Sequence, residues 1–156
     1  MPDLDKAGQT VAAFSALLDD TPARAATARI SPDAWTLGEI TGHMVDSACN
    51  NHLRFAWLLL KDLHGFPPYE TEAFVAAQRY ADYDFPALCD LWKSYNAFLL
   101  HLLSIAPKKA LTNVWIREDG RFTLDFLMDD YYAHMRIHAE HYATRKAEVM
   151  AFLESA

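Results

Sequence analysis

The sequence predicts an all-α protein built around four long helices, and three observations support this prediction. Apolar residues recur at helical intervals of three and four over long stretches of the chain. Proline and glycine fall mainly between those stretches and interrupt them. Alternation typical of strands is confined to residues 113–124. The helices should therefore form the fold, and that segment should add a small hairpin or loop before the last helix.

Composition limits the size and class of the protein. A chain of 156 residues suits one domain, spanning residues 1–156, with a single core. Although 52% of the residues are apolar, no run approaches the roughly 18 needed to cross a bilayer. A net charge of −7 without a basic cluster argues against nucleic acid and anionic membranes. The first ten residues lack a signal peptide's apolar segment, so we expect a cytoplasmic location and a small-molecule partner.

The first two long helices are predicted from periodicity and their N-terminal signals. The first runs from Asp3 to Asp19, and the second from Thr36 to about Leu63. Thr36 is a suitable N-cap, and Glu39 three residues later would complete a capping box.

A polar ridge follows one side of the second helix. At 100° per residue it contains Glu39, His43, Ser47, Asn50 and Arg54. Two interpretations stay open at this point. The ridge is either the solvated face of the helix or the lining of an internal cleft. The second interpretation makes His43 available as a metal ligand.

The third helix follows an irregular, lid-like connection over residues 61–83, in which residues 71–81 form a short helix. Asp84 and Pro86 open the third helix, since proline is accommodated in a first helical turn. Pro107 ends it. Its predicted inner stripe comprises Leu88, Leu91, Tyr95, Phe98, Leu102 and Ile105.

The last helix carries the strongest chemical signal. It follows a hairpin predicted around Asp119-Gly120 and is capped by Thr123. His134 and His138 lie four residues apart on its inward face, where such a pair can bind one divalent cation. The same spacing also suits buried histidines that donate to carbonyl groups, so spacing alone leaves both interpretations open.

Three segments together resemble the DinB/YfiT-like family over nearly the whole chain. They are WTLGEITGHMVD from Trp35 to Asp46, GRFTL from Gly120 to Leu124, and HMRIH from His134 to His138. The resemblance implies an antiparallel four-helix bundle with an uncommon crossover order. It also implies a divalent metal bound by His43, His134 and His138 at one end of the bundle, and a homodimer.

The chemistry of such a site is consistent with catalysis. Three neutral imidazoles suit Zn²⁺ or Ni²⁺ and leave positions open for water or substrate. Affinity should fall steeply below about pH 6.5, and less steeply if burial lowers the histidine pKa values.

Three residues are candidates for catalytic roles. Glu39 would accept a hydrogen bond from His43, a role that Asp46 also suits. Arg54 would neutralise a carboxylate or phosphate on the substrate, or be a surface charge. Tyr131 would donate a proton, or be a core tyrosine.

Characterised relatives of the resembled family include thiol transferases and isomerases that use bacillithiol, mycothiol or glutathione. We therefore expect a metal-dependent transferase that conjugates a low-molecular-weight thiol to a small electrophile. Two alternatives are a non-catalytic metal-binding or sensor module and a structural bundle. His141 stands where the family commonly has glutamine. Three roles are open for it: a fourth metal ligand, a hydrogen-bond donor to a ligand, or an exposed residue. His52, His64 and His101 lack partners at ligand spacing.

Overall fold

A computed structural model describes residues 2–155 and confirms an all-α four-helix bundle. The helices are α1 (Leu4–Asp19), α2 (Ala23–Ala26), α3 (Leu37–Leu60), α4 (Thr71–Gln78), α5 (Phe85–Ile105) and α6 (Leu124–Ser155). The strands are β1 (Leu63–His64), β2 (Val114–Arg117) and β3 (Gly120–Thr123). Within residues 2–155, none of the helices combines the length and apolar character needed to cross a bilayer.

The long helices pack in an order that differs from their order in the chain. Helix α1 packs against α5 and α6, and α3 packs against the same two helices. Consecutive long helices α1 and α3 are therefore diagonal to each other. Phe14 lies at the centre of the core, with its ring centroid 4.8 Å from that of Trp92 and 5.4 Å from that of Tyr142. This order places α3 and α6 side by side, which the site requires.

The predicted helix caps are confirmed. Asp84 and Thr123 each accept a hydrogen bond from the backbone N–H three residues later, and Asp3, which was predicted only as the start of its helix, does the same. Thr36 and Glu39 form the complete capping box. Helix α3 ends at Leu60, earlier than predicted, because the chain there turns into a strand.

The predicted hairpin exists but belongs to a three-stranded sheet. Strands β2 and β3 are antiparallel, and Arg117 pairs with Gly120 across the turn. The turn residues are thus Glu118 and Asp119, one position before the predicted dipeptide. Strand β1 pairs in parallel with β2, bringing Leu63 opposite Trp115. We did not predict β1, because two residues carry no measurable period.

The predicted inner stripe of α5 is partly wrong. Leu88 and Leu102 are buried, but Leu91, Phe98 and Ile105 are exposed. The helix is apolar on most sides, so periodicity alone does not identify the side that contacts α1 and α3. The buried residues of α5 are Phe85, Leu88, Cys89, Trp92, Asn96, Leu99, Leu102 and Leu103.

Candidate metal centre

The first half of α3 is buried on all sides. Every residue from 40 to 48 is buried, and His43 is only 4% exposed. A solvated face would leave this half of the helix open on one side. The polar ridge therefore lines the interior at His43 and Ser47, as the second interpretation of the sequence proposed.

The structure brings three histidines together from two helices. Nε2 of His43, on α3, lies 3.3 Å from Nε2 of His138, on α6. Nε2 of His138 lies 3.0 Å from Nε2 of His134, one turn earlier. Each ring offers one nitrogen within 4.8 Å of the other two. His134 is the most exposed of the three, so the group lies between the core and the surface.

Two of the three nitrogen–nitrogen distances, 3.3 Å and 3.0 Å, are close to those between the ligands of a divalent cation. A tetrahedral zinc ion with Zn–N bonds of about 2.0–2.1 Å holds its ligand atoms about 3.3–3.4 Å apart. Nε2 of His138 faces two other ring nitrogens, although a neutral imidazole nitrogen has a single lone pair or a single proton to offer. A cation among the three lone pairs would satisfy all of them at once.

The surroundings keep the imidazoles neutral. Burial, with a smaller contribution from the nearby His134, lowers the pKa of His43 to about 4. Burial likewise lowers the pKa of His138 to about 4, with smaller contributions from the charges of His134, His43 and His141. Burial also lowers the pKa of His134, while Asp130 opposes that shift. Near pH 7 all three rings are in the neutral form that binds metal.

Neither predicted carboxylate hydrogen bonds to His43. Glu39 accepts from the backbone of Thr36 and from Arg29, each at 2.7 Å, so its carboxylate serves the helix cap. Asp46 accepts from the Tyr80 hydroxyl at 2.7 Å instead. Nδ1 of His43 is buried without a hydrogen-bond partner among residues 2–155. The predicted acceptor role of these two carboxylates is not seen in this arrangement.

The other two catalytic candidates lie on a cleft beside the triad. Tyr131 is buried, donates to Asn96 Oδ1 at 2.6 Å, and has a pKa raised by burial, which matches a core tyrosine. Arg54 is half-buried. The cleft has a volume of about 240 Å³, and its wall includes His134. Its other lining residues are Ser47, Asn51, Arg54, Tyr69, Trp115, Arg117, Phe122, Phe126, Leu127, Asp130 and Tyr131.

Sequence reasoning missed most of this lining. Trp115 and Arg117 are two positions apart on β2, so both side chains lie on the same face of the strand. That signal was present in the sequence. The contribution of Tyr69 carried no such signal, because it depends on how the irregular connection folds back over α3.

A second cleft lies beside His138 of the triad. It has a volume of about 400 Å³ and is lined in part by Trp35, His138, His141 and Arg145. His141 is exposed, with its ring centroid 6.1 Å from that of His138, and lies outside the group of three. Trp35, in the wall of this cleft, has its ring centroid 5.6 Å from that of His43.

The remaining histidines lie away from the triad group, as expected. Nδ1 of His52 lies 3.0 Å from the Tyr95 hydroxyl. His64 and His101 are exposed.

Comparison with known proteins supports the fold. No family model matches the sequence, and no curated protein does. The structure matches YfiT from Bacillus subtilis, described as a probable metal-dependent hydrolase with an unusual four-helix bundle topology, with a TM-score of 0.80. That match has 16% identity and covers 93% of this chain and 84% of YfiT.

A second solved structure with this fold is a mycothiol-dependent maleylpyruvate isomerase. It matches with a TM-score of 0.73 and 15% identity over 87% of this chain. This chain spans 57% of the isomerase's length. The fold is therefore DinB/YfiT-like, as the sequence motifs indicated.

Proposed function

We propose that this protein is a metal-dependent transferase that conjugates a low-molecular-weight thiol to a small electrophile. The metal, Zn²⁺ or Ni²⁺, would be held by Nε2 of His43, His134 and His138. The observation that carries the proposal is the convergence of these three neutral imidazoles between two clefts.

The donor set supports a metal with open coordination positions. Three imidazoles are the protein ligands of a catalytic site, whereas structural zinc sites use four protein ligands. When bound there, a divalent ion supplies a Lewis acid that brings the pKa of a thiol towards neutrality. His141 lies outside the group of three whose ring nitrogens come within 4.8 Å of one another, so it does not fill the fourth position in this arrangement.

The proposed reaction is a substitution at an electrophilic carbon. The thiol sulfur forms a bond to the electrophilic carbon, and the thiol proton leaves with the displaced group. The two clefts provide separate places for the two reactants, one beside His134 and one beside His138. A metal-binding or sensor module has no need of two clefts, which favours the transferase over that alternative.

The test begins with metal analysis of protein purified without a histidine tag. The metal-loaded protein is then incubated with bacillithiol, mycothiol or glutathione and a panel of electrophiles, and the conjugate is measured by mass spectrometry. His43→Ala serves as the inactive variant and His101→Ala as its matched control. A thiol-free arm detects hydrolysis, the activity ascribed to YfiT.

The outcomes separate the alternatives. Conjugation that requires metal and His43 supports the transferase. Metal binding without turnover of any pair would favour the non-catalytic module, and metal-dependent turnover only in the thiol-free arm would indicate a hydrolase. The expected homodimer stays a prediction, which sedimentation velocity measures.

A further inference from the structure

Arg54 occupies an unusual position in the cleft beside His134. Its guanidinium carbon lies 4.5 Å from the ring centroid of Trp115 and 5.3 Å from that of Phe66. Contacts with two aromatic rings restrict the plane of the guanidinium group while leaving N–H groups at its edge free to donate. The ring contacts thus prepare this side chain to bind a planar anion.

Within residues 2–155, no carboxylate forms an ion pair with Arg54. Its Nε is buried without a hydrogen-bond partner among residues 2–155. Burial lowers the pKa of Arg54, Tyr69 opposes that shift and Arg117 adds to it, while no carboxylate contributes. By contrast, Arg29 forms an ion pair with Glu39. A half-buried charge without a counter-charge is costly, and an anionic ligand would offset that cost.

The second arginine of the cleft, unlike Arg54, has a carboxylate partner. Arg117 lies over the same Trp115 ring, with its guanidinium carbon 4.8 Å from the centroid. Asp130 is the acidic residue of the lining, and the structure shows no ion pair between it and Arg54 within residues 2–155. Asp119 pairs with Arg117 through two contacts of 2.8 Å each, so Arg54 is the arginine of this cleft that has no ion pair within residues 2–155.

We propose that this cleft is a subsite for the carboxylate of a small-molecule ligand, with Arg54 as the residue that binds it. The fork of a guanidinium group matches a carboxylate through two parallel hydrogen bonds. A volume of about 240 Å³ is smaller than the roughly 300–1,000 Å³ of pockets for drug-sized ligands, so the ligand is small. His134 belongs both to this cleft and to the triad. A ligand whose carboxylate binds Arg54 would therefore reach the metal site with its opposite end. This link between the two sites is the part of the proposal that rests on the proposed function.

The first experiment tests the subsite without metal. Chelator-treated, ¹⁵N-labelled full-length protein is titrated with propionate, propionamide and inorganic phosphate, and the Arg54 Nε–Hε signal is followed by NMR. The signal is assigned by its loss in Arg54→Gln. Propionate should shift it saturably and propionamide should not. Equal responses to acid and amide would overturn the proposal, and a tighter response to phosphate would replace carboxylate with phosphate as the ligand class.

The second experiment tests the link to the metal. Zinc-loaded protein is titrated calorimetrically with mercaptopropionate and with mercaptopropionamide. The acid should bind at least about tenfold more tightly than the amide, as expected for a charge-assisted bidentate pair. Arg54→Gln should reduce that ratio to about one, and Arg54→Lys should keep part of it. Arg121→Gln, an exposed arginine on β3, is the matched control and should keep the full ratio.

The results distinguish the two proposals. An acid preference that survives in folded Arg54→Gln would overturn the subsite. If neither thiol binds more tightly with zinc than without it, the proposed function fails, while the propionate titration still decides the subsite. If Arg54→Gln loses its fold by circular dichroism, Arg54→Lys decides, since loss of the bidentate fork should weaken acid binding but not amide binding.

Discussion

His43 and Arg54 lie about three turns apart on the same polar ridge of α3, yet their surroundings are opposite in character. His43 is enclosed by the bundle and faces two further imidazoles, which burial keeps neutral. Arg54 lies between aromatic rings, and its charge persists because a guanidinium group stays protonated in proteins. One end of the ridge offers lone pairs to a cation, and the other offers N–H donors to an anion.

The difference shows how one amphipathic helix provides two kinds of site. The neighbour of α3 decides which kind forms. At His43 the neighbour is α6, which contributes His134 and His138. At Arg54 the neighbour is the small sheet, which contributes Trp115. Changes to His43 or His138 should therefore alter metal binding while leaving the Arg54 cleft intact, whereas His134 lies in both sites.

The largest effect is expected from the triad itself. His43→Ala, His134→Ala and His138→Ala should each lower metal affinity by at least about a hundredfold, because each removes one of three ligands. Metal content after dialysis, measured by inductively coupled plasma mass spectrometry, gives the result. His52→Ala and His101→Ala are the controls, and equal metal content in all five variants would refute the site. His141→Ala should cause at most an intermediate loss.

Removing the metal should lower stability without unfolding the protein. A ligand at a hundred- to thousand-fold excess over its Kd adds about 3 to 4 kcal/mol. For a protein of this size, that corresponds to a fall in Tm of about 6 to 16 °C on chelation. The buried core should keep the chelated protein folded at 25 °C, as far-ultraviolet circular dichroism will show. Chelator-induced unfolding at 25 °C would mean that the metal is required for the fold.

The parts of this structure that could be predicted from the sequence are those set by local interactions. The capping box joins residues three positions apart, so Thr36 and Glu39 could be recognised without tertiary information. The pairing of His134 with His138 follows from helical geometry alone. For His43, which lies 91 positions before His134, the polar ridge left two interpretations open, and the motif resemblance was needed to choose between them.

The parts that could not be predicted depend on packing between distant segments. The buried side of α5 is chosen by α1 and α3, since the helix is apolar almost all round. The same limit applies to the aromatic rings around Arg54, which come from a loop and a strand. Glu39 shows the converse. The sequence allowed two roles for Glu39, the helix cap and the acceptor for His43. In the structure its carboxylate binds the Thr36 backbone and Arg29 instead of His43.

A smaller effect should follow from Gly42→Ala. A Cβ atom at Gly42 would overlap the Tyr80 ring, whose hydroxyl donates to Asp46. The ring must move, and overpacking of this kind costs about 1–3 kcal/mol. Gly8→Ala is the matched control, because a Cβ there meets nothing within 4 Å and alanine should stabilise α1 by about 0.5–1 kcal/mol.

Urea unfolding of the metal-free forms measures both glycine variants. A Gly42→Ala protein as stable as the wild type would show that Tyr80 is not confined as the structure indicates. If the triad and the Arg54 cleft are independent, Gly42→Ala should weaken metal binding without changing the propionate response of Arg54.

The smallest effect concerns metal affinity between pH 8 and pH 6. Three independent histidines with ordinary pKa values of about 6.5 would lose affinity about sixtyfold over this range, because protons compete at every ligand. In the folded protein the pKa values of His43 and His138 are about 4, and that of His134 is also lowered. Affinity should therefore fall less than about fivefold down to pH 6, and steeply only towards pH 4.

The same shifts fix the sign of the stability change in the metal-free protein. The unfolded chain takes up protons on His43 and His138 near pH 6.5, whereas the folded protein resists this until about pH 4. Stability is thus complete above about pH 6.5 and falls progressively towards pH 4. Competition with a calibrated chelator measures the affinity, and urea unfolding measures the stability. A sixtyfold loss of affinity by pH 6 would show that the imidazoles are solvated, and the contrast between the enclosed triad and the charged cleft would then fail.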